Sequence, residues 1–382
     1  MDPQPYSNEK LRSESLNLLR FPLAVVVVMI HTFSSAGLKL QGQQLSFDAF
    51  AVFQEINHFI DGFLRGQSVP IYYFISGYVF FLGVTLNRET YRRKLHNRMK
   101  TLLIPYLIWN TLTLLQILLY RTPPFRSFFP GLASAELNLT LSGVLNCLWD
   151  RTHSIFLLPE STHSASFYPM NYPLWFIRDL MIVVLCAPLL YYLLRRMRHY
   201  FVCLIGLLWF LKDYVPALAV YGQLLTALFF FSWGAYMSIS RKDMLVEFGR
   251  YFRPSVVLYV LLGLLHVASA HWLPEASTTI KQLNVLVGLI FAYNLASWLL
   301  RRGICRPNAF LASASFFIYV AHSLVLNNTL KSLFVVIAPA SELTLIGTYL
   351  LALVLTVGGL LLAFWLLRKY APGLLRVMTG KK

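Results

Sequence analysis

Residues 16–35 read LNLLRFPLAVVVVMIHTFSS, an apolar segment long enough to cross a membrane as an α-helix. Arg20 lies near its start and His31 near its end, eleven residues apart. At about 100° per residue this spacing is roughly three whole turns, so both side chains lie on one face, about 16 Å apart along the axis. Ionisable side chains inside a membrane helix are costly and by default indicate a functional site. The alternative is an interfacial anchor at Arg20 and a packed, hydrogen-bonded imidazole at His31.

The composition places the whole chain among membrane proteins. Hydrophobic residues make up 57% and charged residues 13% of the 382 residues, whereas about a quarter of a soluble domain is charged. Mean hydropathy is +0.59. We therefore predict an all-α fold, a polytopic transmembrane helical bundle that forms a single membrane domain over residues 1–382. The four cysteines show no CxxC or metal-ligand spacing, so we expect neither a metal nor a disulfide framework.

The apolar runs predict about ten spans. Their approximate bounds are 16–36, 68–86, 101–120, 173–194, 199–215, 219–239, 254–272, 280–300, 309–336 and 343–369. An amphipathic segment, 45–65, precedes the second span. If it is helical, Glu55, His58 and Asp61 share one of its faces; a solvated surface is the expected role, and ligand binding is the alternative. A cleaved signal peptide cut at Ser34-Ser35-Ala36 is the alternative for the first span.

Charge orients the predicted bundle. With ten spans, 23 lysines and arginines fall on the side that carries both tails and eight on the opposite side. Because basic residues collect in cytoplasmic loops, both termini are predicted to be cytoplasmic. Arg20 then lies at the cytoplasmic end of span one, with His31 deeper. The same rule explains the net charge of +17 without a nucleic-acid partner.

The loop before span three is strongly basic: RETYRRKLHNRMK, residues 88–100. One interpretation is that these basic residues fix the orientation of the protein in the membrane and are attracted to anionic lipid. The other is an anion cradle for a phosphorylated cytosolic ligand, because arginine matches phosphate oxygens bidentately. Arg98 lies nearest the membrane, and Arg92 and Arg93 lie six and five residues before it.

Three later spans carry polar or small residues. In SVPIYYFISGYVFF, the Ser76-Gly77 pair predicts a close helix–helix approach. Span four begins NYPLWFIRDL, where Arg178 and Asp179 could pair with each other or with groups on other helices. Because neighbours diverge by about 100° on a helix, separate partners are the favoured expectation. His322 lies within the apolar sequence of span nine, where alone it would be interpreted as a packing histidine.

Taken in order, these motifs resemble the membrane-bound acyltransferase 3 family. The resemblance rests on Arg20 with His31, on FISGY at 74–78, on Arg98 followed by the Pro-Tyr dipeptide at 105–106, on PLWFIRDL at 173–180, and on IYVAH at 318–322. One departure is Phe21-Pro22, where the family often has Gly-Ile. Because proline is tolerated in the first turn of a helix, this departure predicts that the helix starts near Arg20.

The resemblance implies an enzyme of ten helices in a bacterial cytoplasmic (inner) membrane. Its expected activity is transfer of an acyl group, usually acetyl, from cytosolic acetyl-CoA or another acyl-CoA to a hydroxyl of an extracytoplasmic or lipid-linked glycan. Its partners would be the acyl-CoA, the hydroxyl acceptor and membrane lipids. Succinyl is a possible acyl group, and the acceptor and oligomeric state are left open.

The residues permit a division of roles. Arg20 and Arg98, with Arg92 or Arg93, would hold the phosphates or carbonyls of CoA at the cytoplasmic mouth. His31 would take the proton of the acceptor hydroxyl, since neutral imidazole is the usual base near pH 7.

His322 would be a second acid/base or an oxyanion donor, and Tyr172 and Trp175 would line the acceptor path. A glycan or lipid-intermediate transporter or flippase is the main alternative, although no inverted repeat supports it. A membrane scaffold or receptor is a third possibility, but it would not need the buried Arg20 and His31. Labelled acetyl-CoA distinguishes an enzyme from a carrier, because only an enzyme attaches the label covalently.

Overall fold

The structure is a computed structural model that describes residues 7–33, 38–40, 43–123, 136–137, 140–150, 156–157, 167–270 and 272–380. It confirms the all-α polytopic bundle. Besides helices, the described residues form two antiparallel pairs of two-residue strands. Strand β1 (Lys39–Leu40) pairs with β2 (Gln43–Gln44), and β3 (Glu136–Leu137) pairs with β4 (Phe156–Leu157).

The described helices, in chain order, are α1 Asn8–Thr32, α2 Ala51–Phe63, α3 Ser68–Phe81, α4 Arg88–Arg98, α5 Ile104–Tyr120, α6 Leu141–Asn146, α7 Trp175–Leu185, α8 Ala187–Met197, α9 His199–Leu211, α10 Pro216–Ala219, α11 Gly222–Ile239, α12 Met244–Gly249, α13 Phe252–Ala270, α14 Pro274–Arg301, α15 Ala309–Ile337, α16 Glu342–Tyr370 and α17 Pro372–Thr379. A π-helical segment, Met99–Leu103, joins α4 to α5, and a 3₁₀ turn, Tyr172–Leu174, precedes α7.

Helices lie at each of the ten places where a span is predicted. Six of the described helical stretches are long and apolar enough to cross a membrane: α1, α4 with α5, and each of α13 to α16. The bent pair α7–α8, with the 3₁₀ turn before it, would make a seventh; it is bent by 64° at its break, next to Pro188 in the first turn of α8. Helices α3 and α9 have 14 and 13 residues. The count of ten spans and the cytoplasmic termini stay predictions.

Helix α1 begins earlier than the sequence suggested. Its N-cap is Ser7, whose side chain accepts a hydrogen bond from the Lys10 amide at 3.3 Å, and the helix runs through Pro22 without ending. The prediction of a start near Arg20 is therefore wrong. The polar residues 8–15 hid this first part because they break the apolar run. The residues of the alternative signal-peptide cut, 34–36, lie outside the described residues.

Helices α3 and α11 pack backbone against backbone. A Cβ atom added to Gly77 would lie 2.0 Å from the carbonyl oxygen of Phe231, and one added to Gly234 would lie 2.0 Å from the carbonyl oxygen of Phe74. Only glycine permits such an approach. The close helix contact predicted from Ser76-Gly77 is confirmed.

Helix α1 lies inside the bundle, packed against α14, α15 and α16. Its apolar residues Ala24 and Val28 are fully buried. Helices α13 and α16 instead carry large apolar side chains on the outside, such as Val257 and Val354, which are 64% and 65% exposed. Such surfaces suit contact with lipid chains. The first helix is thus placed to hold side chains within the protein.

Candidate active site

The structure brings His31 and His322 together. The two ring centroids are 5.3 Å apart with the planes tilted by 30°. Tyr172 places its ring edge-on against His31, at 5.9 Å between centroids. Residues from α1, α15 and the 3₁₀ turn, separated by well over a hundred positions in sequence, therefore meet in one cluster, which we call the histidine pair (His31 and His322).

One ring nitrogen of His322 is fixed by the backbone. Its Nδ1 lies 2.6 Å from the carbonyl oxygen of Tyr319, one turn earlier in α15. A carbonyl only accepts hydrogen bonds, so neutral His322 carries its proton on Nδ1 and leaves a lone pair on Nε2. This Nε2 is buried and has no hydrogen-bond partner among the described residues, while His322 as a whole is 1% exposed. An unsatisfied buried acceptor of this kind is suited to a reacting hydroxyl.

An asparagine network lies next to His322. The Asn171 side chain donates to the carbonyl of Val320 at 3.2 Å and accepts from the Ser323 hydroxyl at 2.8 Å. The Asn171 amide donates to Asn110 Oδ1 at 2.9 Å. The 3₁₀ turn, α5 and α15 are thereby tied together next to His322. Sequence reasoning missed Asn171, whose only signal was a polar residue directly before the Tyr-Pro-Leu-Trp motif.

Arg20 and Arg98 line one cavity of about 580 Å³. Its walls come from α1, α3, α7 and α15 and from the residues around the α4–α5 junction, and they include Glu14, Asn17, Tyr72, Phe176 and Tyr319. Two arginines at one cavity provide forked donors for phosphate or carbonyl oxygens. We call this space the arginine cavity.

A π-helical segment sets the direction of Arg98. Residues Met99–Leu103 form one wider turn, with the Ile104 amide donating to the Met99 carbonyl five residues back. Such an insertion rotates the preceding helix relative to the following one, and π segments often occur at functional sites. Arg98 is the last residue of α4, directly before this turn.

Aromatic residues connect the arginine cavity to the histidine pair. Tyr319 lines the cavity, and its own carbonyl holds His322. Tyr72 also lines the cavity and donates from its hydroxyl to the Arg20 carbonyl at 2.8 Å. The ring of Phe176 packs 5.9 Å from that of Tyr72 and 5.7 Å from that of Tyr319. The wall of the cavity is therefore one turn of α15 away from the histidine pair.

The remaining predicted site residues lie apart. Arg92 and Arg93 are exposed on α4 and are not among the residues that line the arginine cavity. Trp175 is half-buried and packs against the main hydrophobic core at the start of α7. Of the eight predicted positions, the structure groups His31, His322 and Tyr172 in one cluster and Arg20 with Arg98 in another.

The expectation that Arg178 and Asp179 have separate partners is wrong in part. Arg178 Nε lies 2.8 Å from Asp179 Oδ1, since a long arginine can fold back across the 100° between neighbours. Arg178 Nη1 also donates to the carbonyls of Trp149 and Phe167, at 3.0 and 2.9 Å. The pair is buried and ties two points of the segment between α5 and α7, Trp149 and Phe167, to α7.

Asp61 is not on a solvated face. Its carboxylate lies 2.8 Å from Arg65 Nε, 3.1 Å from His266 Nε2 and 2.7 Å from Lys281 Nζ. These groups join α2 to α13 and α14. The sequence could not reveal this cluster, because His266 and Lys281 are 205 and 220 residues from Asp61 in the chain.

The chain is similar to known acyltransferases over almost its full length. The acyltransferase 3 family model, described as an acyltransferase domain, matches residues 13–368. The succinoglycan biosynthesis protein ExoH of Rhizobium meliloti (strain 1021) is 25% identical over 380 residues, covering 97% of this chain and 92% of that protein. No solved structure matches. The family match includes both the histidine pair and the arginine cavity.

Proposed function

The chain belongs to the acyltransferase 3 family, and on that premise we propose that it moves an acyl group, acetyl by default, from cytosolic acyl-CoA to a hydroxyl of an extracytoplasmic or lipid-linked glycan. That it is an integral membrane acyltransferase follows from the family and from its apolar helices. The name of the relative, a succinoglycan biosynthesis protein, supports a polysaccharide acceptor. The observation that carries the proposal is the histidine pair one helical turn beyond the wall of the arginine cavity.

The donor would enter through the arginine cavity. Its phosphates would bind Arg20 and Arg98, whose guanidinium groups match phosphate oxygens. His31 lies eleven residues after Arg20 on α1, roughly 16 Å along the axis, so the thioester would reach inward while the phosphates stay at the mouth. We expect the bacterial cytoplasmic membrane as location, and no metal.

At the histidine pair, the acceptor oxygen would attack the thioester carbonyl carbon as its proton passes to a histidine nitrogen. The carbon–sulfur bond then breaks, and CoA leaves as the thiolate and takes up the proton. The Nδ1 bond to Tyr319 makes neutral His322 a proton acceptor through Nε2, which favours an acid/base role over that of an oxyanion donor. Tyr172, edge-on to His31, would border the acceptor path.

The direct test is purified protein in vesicles with labelled acetyl-CoA and, separately, labelled succinyl-CoA. An acyltransferase attaches the label covalently to an acceptor glycan, and the glycan mass rises by one acyl unit. A transporter or flippase would move material without attaching the label. Unchanged glycan mass with either donor, together with unmodified but translocated glycan, would overturn the proposal in favour of transport.

A further inference from the structure

A second cavity, of about 740 Å³, lies at the ends of four helices. Its walls come from the first turns of α1, the end of α3 and the residues after it, the end of α8, and the end of α11. On the predicted topology this is the cytoplasmic side. We call it the second basic cavity, because four cationic side chains line it: Arg12, Arg195, Arg241 and Lys242.

Four cations and one carboxylate line this cavity, so its wall carries excess positive charge. Among the described residues, no ion pair involves any of the four. The acidic residue of the wall, Asp243, caps α12 by accepting the Leu245 amide at 2.9 Å. The excess positive charge in the cavity therefore calls for an anion.

Aromatic side chains and an apolar rim complete the wall. The Arg12 guanidinium lies 6.0 Å from the ring centre of Tyr78, and that of Arg195 lies 5.7 Å from Tyr191. Such contacts hold a guanidinium in place over a ring face. Phe81 and Leu82 add apolar surface at the same cavity. An anion with an adjoining apolar part would fit this lining.

The second basic cavity is separate from the arginine cavity. Helix α1 contributes Arg12 to one and Arg20 to the other, and α3 contributes Tyr78 to one and Tyr72 to the other. The two linings share no residue. A ligand in the second basic cavity is therefore distinct from the proposed acyl donor, and its binding does not depend on the proposed reaction.

Arg241 occupies a backbone position that normally favours glycine. Its φ is 54°, just after the end of α11. The Lys242 amide donates to the Met237 carbonyl at 2.9 Å and the Arg241 amide to the Ser238 carbonyl at 3.1 Å, the pattern of a helix end closed by a left-handed residue. An arginine there is strained, and strain of this kind points towards a function of the side chain.

From these observations we propose that the second basic cavity binds a phosphate group, carried by an anionic phospholipid headgroup or by a soluble phosphorylated molecule. Topology alone explains lysines and arginines on this side of the membrane. It does not explain why cations from three distant parts of the chain converge on one cavity, nor why one of them takes a left-handed backbone.

The test uses the purified full-length chain and thermal unfolding. Phosphatidylglycerol in mixed micelles, phosphatidylcholine in the same micelles and soluble pyrophosphate are titrated separately. We expect the double variant Arg12→Gln/Arg195→Gln to lower the affinity for the stabilising anion about tenfold or more, because each basic group near a surface adds to anion affinity. Arg196→Gln is the matched control, since Arg196 is exposed, adjacent to Arg195 and outside the cavity lining.

Stabilisation by phosphatidylglycerol alone identifies a lipid headgroup, and stabilisation by pyrophosphate as well identifies a soluble phosphorylated ligand. Arg241→Gly should raise the melting temperature without ligand, since it relieves the backbone, and weaken anion binding. Because Arg241→Gly should be more stable and yet bind the anion more weakly, it tests the proposal even if the double variant folds poorly. Equal weakening in Arg196→Gln, unchanged affinity in the double variant, or no stabilisation by either anion would overturn the proposal.

Discussion

Two buried histidines in the same bundle have opposite surroundings. His266 uses both ring nitrogens: Nε2 lies 3.1 Å from the Asp61 carboxylate, and Nδ1 lies 2.9 Å from the Ser277 hydroxyl. His322 uses only one, and its Nε2 has no partner among the described residues. In an apolar interior a satisfied imidazole adds to stability, whereas an unsatisfied one costs free energy. The comparison separates a histidine that holds helices together from one available for chemistry.

The largest effect should follow from removing the free nitrogen of His322. His322→Asn keeps an amide that can still donate to the Tyr319 carbonyl but lacks the Nε2 lone pair. Because acid/base catalysis contributes about 10²- to 10⁴-fold, the rate of acyl transfer should fall by that factor, with little change in melting temperature. Rates with labelled acyl-CoA check this, and full activity in a folded His322→Asn protein would contradict it.

His31→Ala should lower the transfer rate in the same range, since His31 is the proposed base. Correct insertion and a wild-type melting temperature are the required controls. If folded, inserted His31→Ala protein transferred acyl groups at the wild-type rate, the proposed mechanism would be wrong.

Arg98→Gln should act on donor binding. Loss of a charge-assisted hydrogen bond to phosphate should raise the KM for acyl-CoA about 10- to 100-fold while kcat changes less. Arg92→Gln is the matched control, because Arg92 is exposed on the same helix and outside the arginine cavity. Equal KM values for the two variants would remove Arg98 from the donor site.

His266→Ala should lower stability and leave activity unchanged, the reverse of what we expect for His322→Asn. Truncation leaves Asp61 and Ser277 without their imidazole partner, so the free energy of unfolding should fall by about 1–3 kcal/mol. Activity per folded molecule should stay at the wild-type level. Denaturation curves and rates measured on the same sample check both halves, and lost activity with unchanged stability would break the comparison between the two histidines.

The smallest expected effect is a pH dependence of the protein's stability, caused by Asp61 in the cluster with His266. Burial by itself would raise the pKa of Asp61, but the hydrogen bond with His266 and the charges of Lys281 and Arg65 outweigh it and hold that pKa well below its usual range. A carboxylate with a lowered pKa stabilises the fold above its unfolded pKa of about 3.9, and this stabilisation is lost as the pH falls below that value. The melting temperature should drop on acidification, and less steeply in Asp61→Asn. Parallel pH profiles of the two proteins would contradict this.

Much of the fold could be predicted from the sequence, because long apolar runs mark helices directly. Helices α13 to α16 lie close to their predicted spans for that reason. The start of α1 could not be predicted in this way, since residues 8–15 are mostly polar; the cap at Ser7 and the buried side chain of Leu11 support this part of the helix. The bend at Pro188 likewise interrupts a run that reads as one continuous span.

In the candidate active site, too, features within one helix could be predicted from the sequence, whereas contacts between distant elements could not. Spacing on one helix predicted that Arg20 and His31 share a face, and the family motifs singled out Arg98 and His322. Contacts between distant elements could not be predicted: the Asn171 network and the Asp61 cluster both depend on how helices pack. The pairing of Arg178 with Asp179 depends on a side-chain conformation that helical angles do not determine.

The direction in which Arg98 points depends on the number of residues in the wide turn at Met99–Leu103. Deleting one uncharged residue from this turn would restore an ordinary helix and turn α4 by about 100° about its axis, without altering a single charge. Arg98 would then face away from the arginine cavity while α5 kept its place. Chain length in one turn, rather than basicity, therefore decides which arginine of α4 lines the arginine cavity.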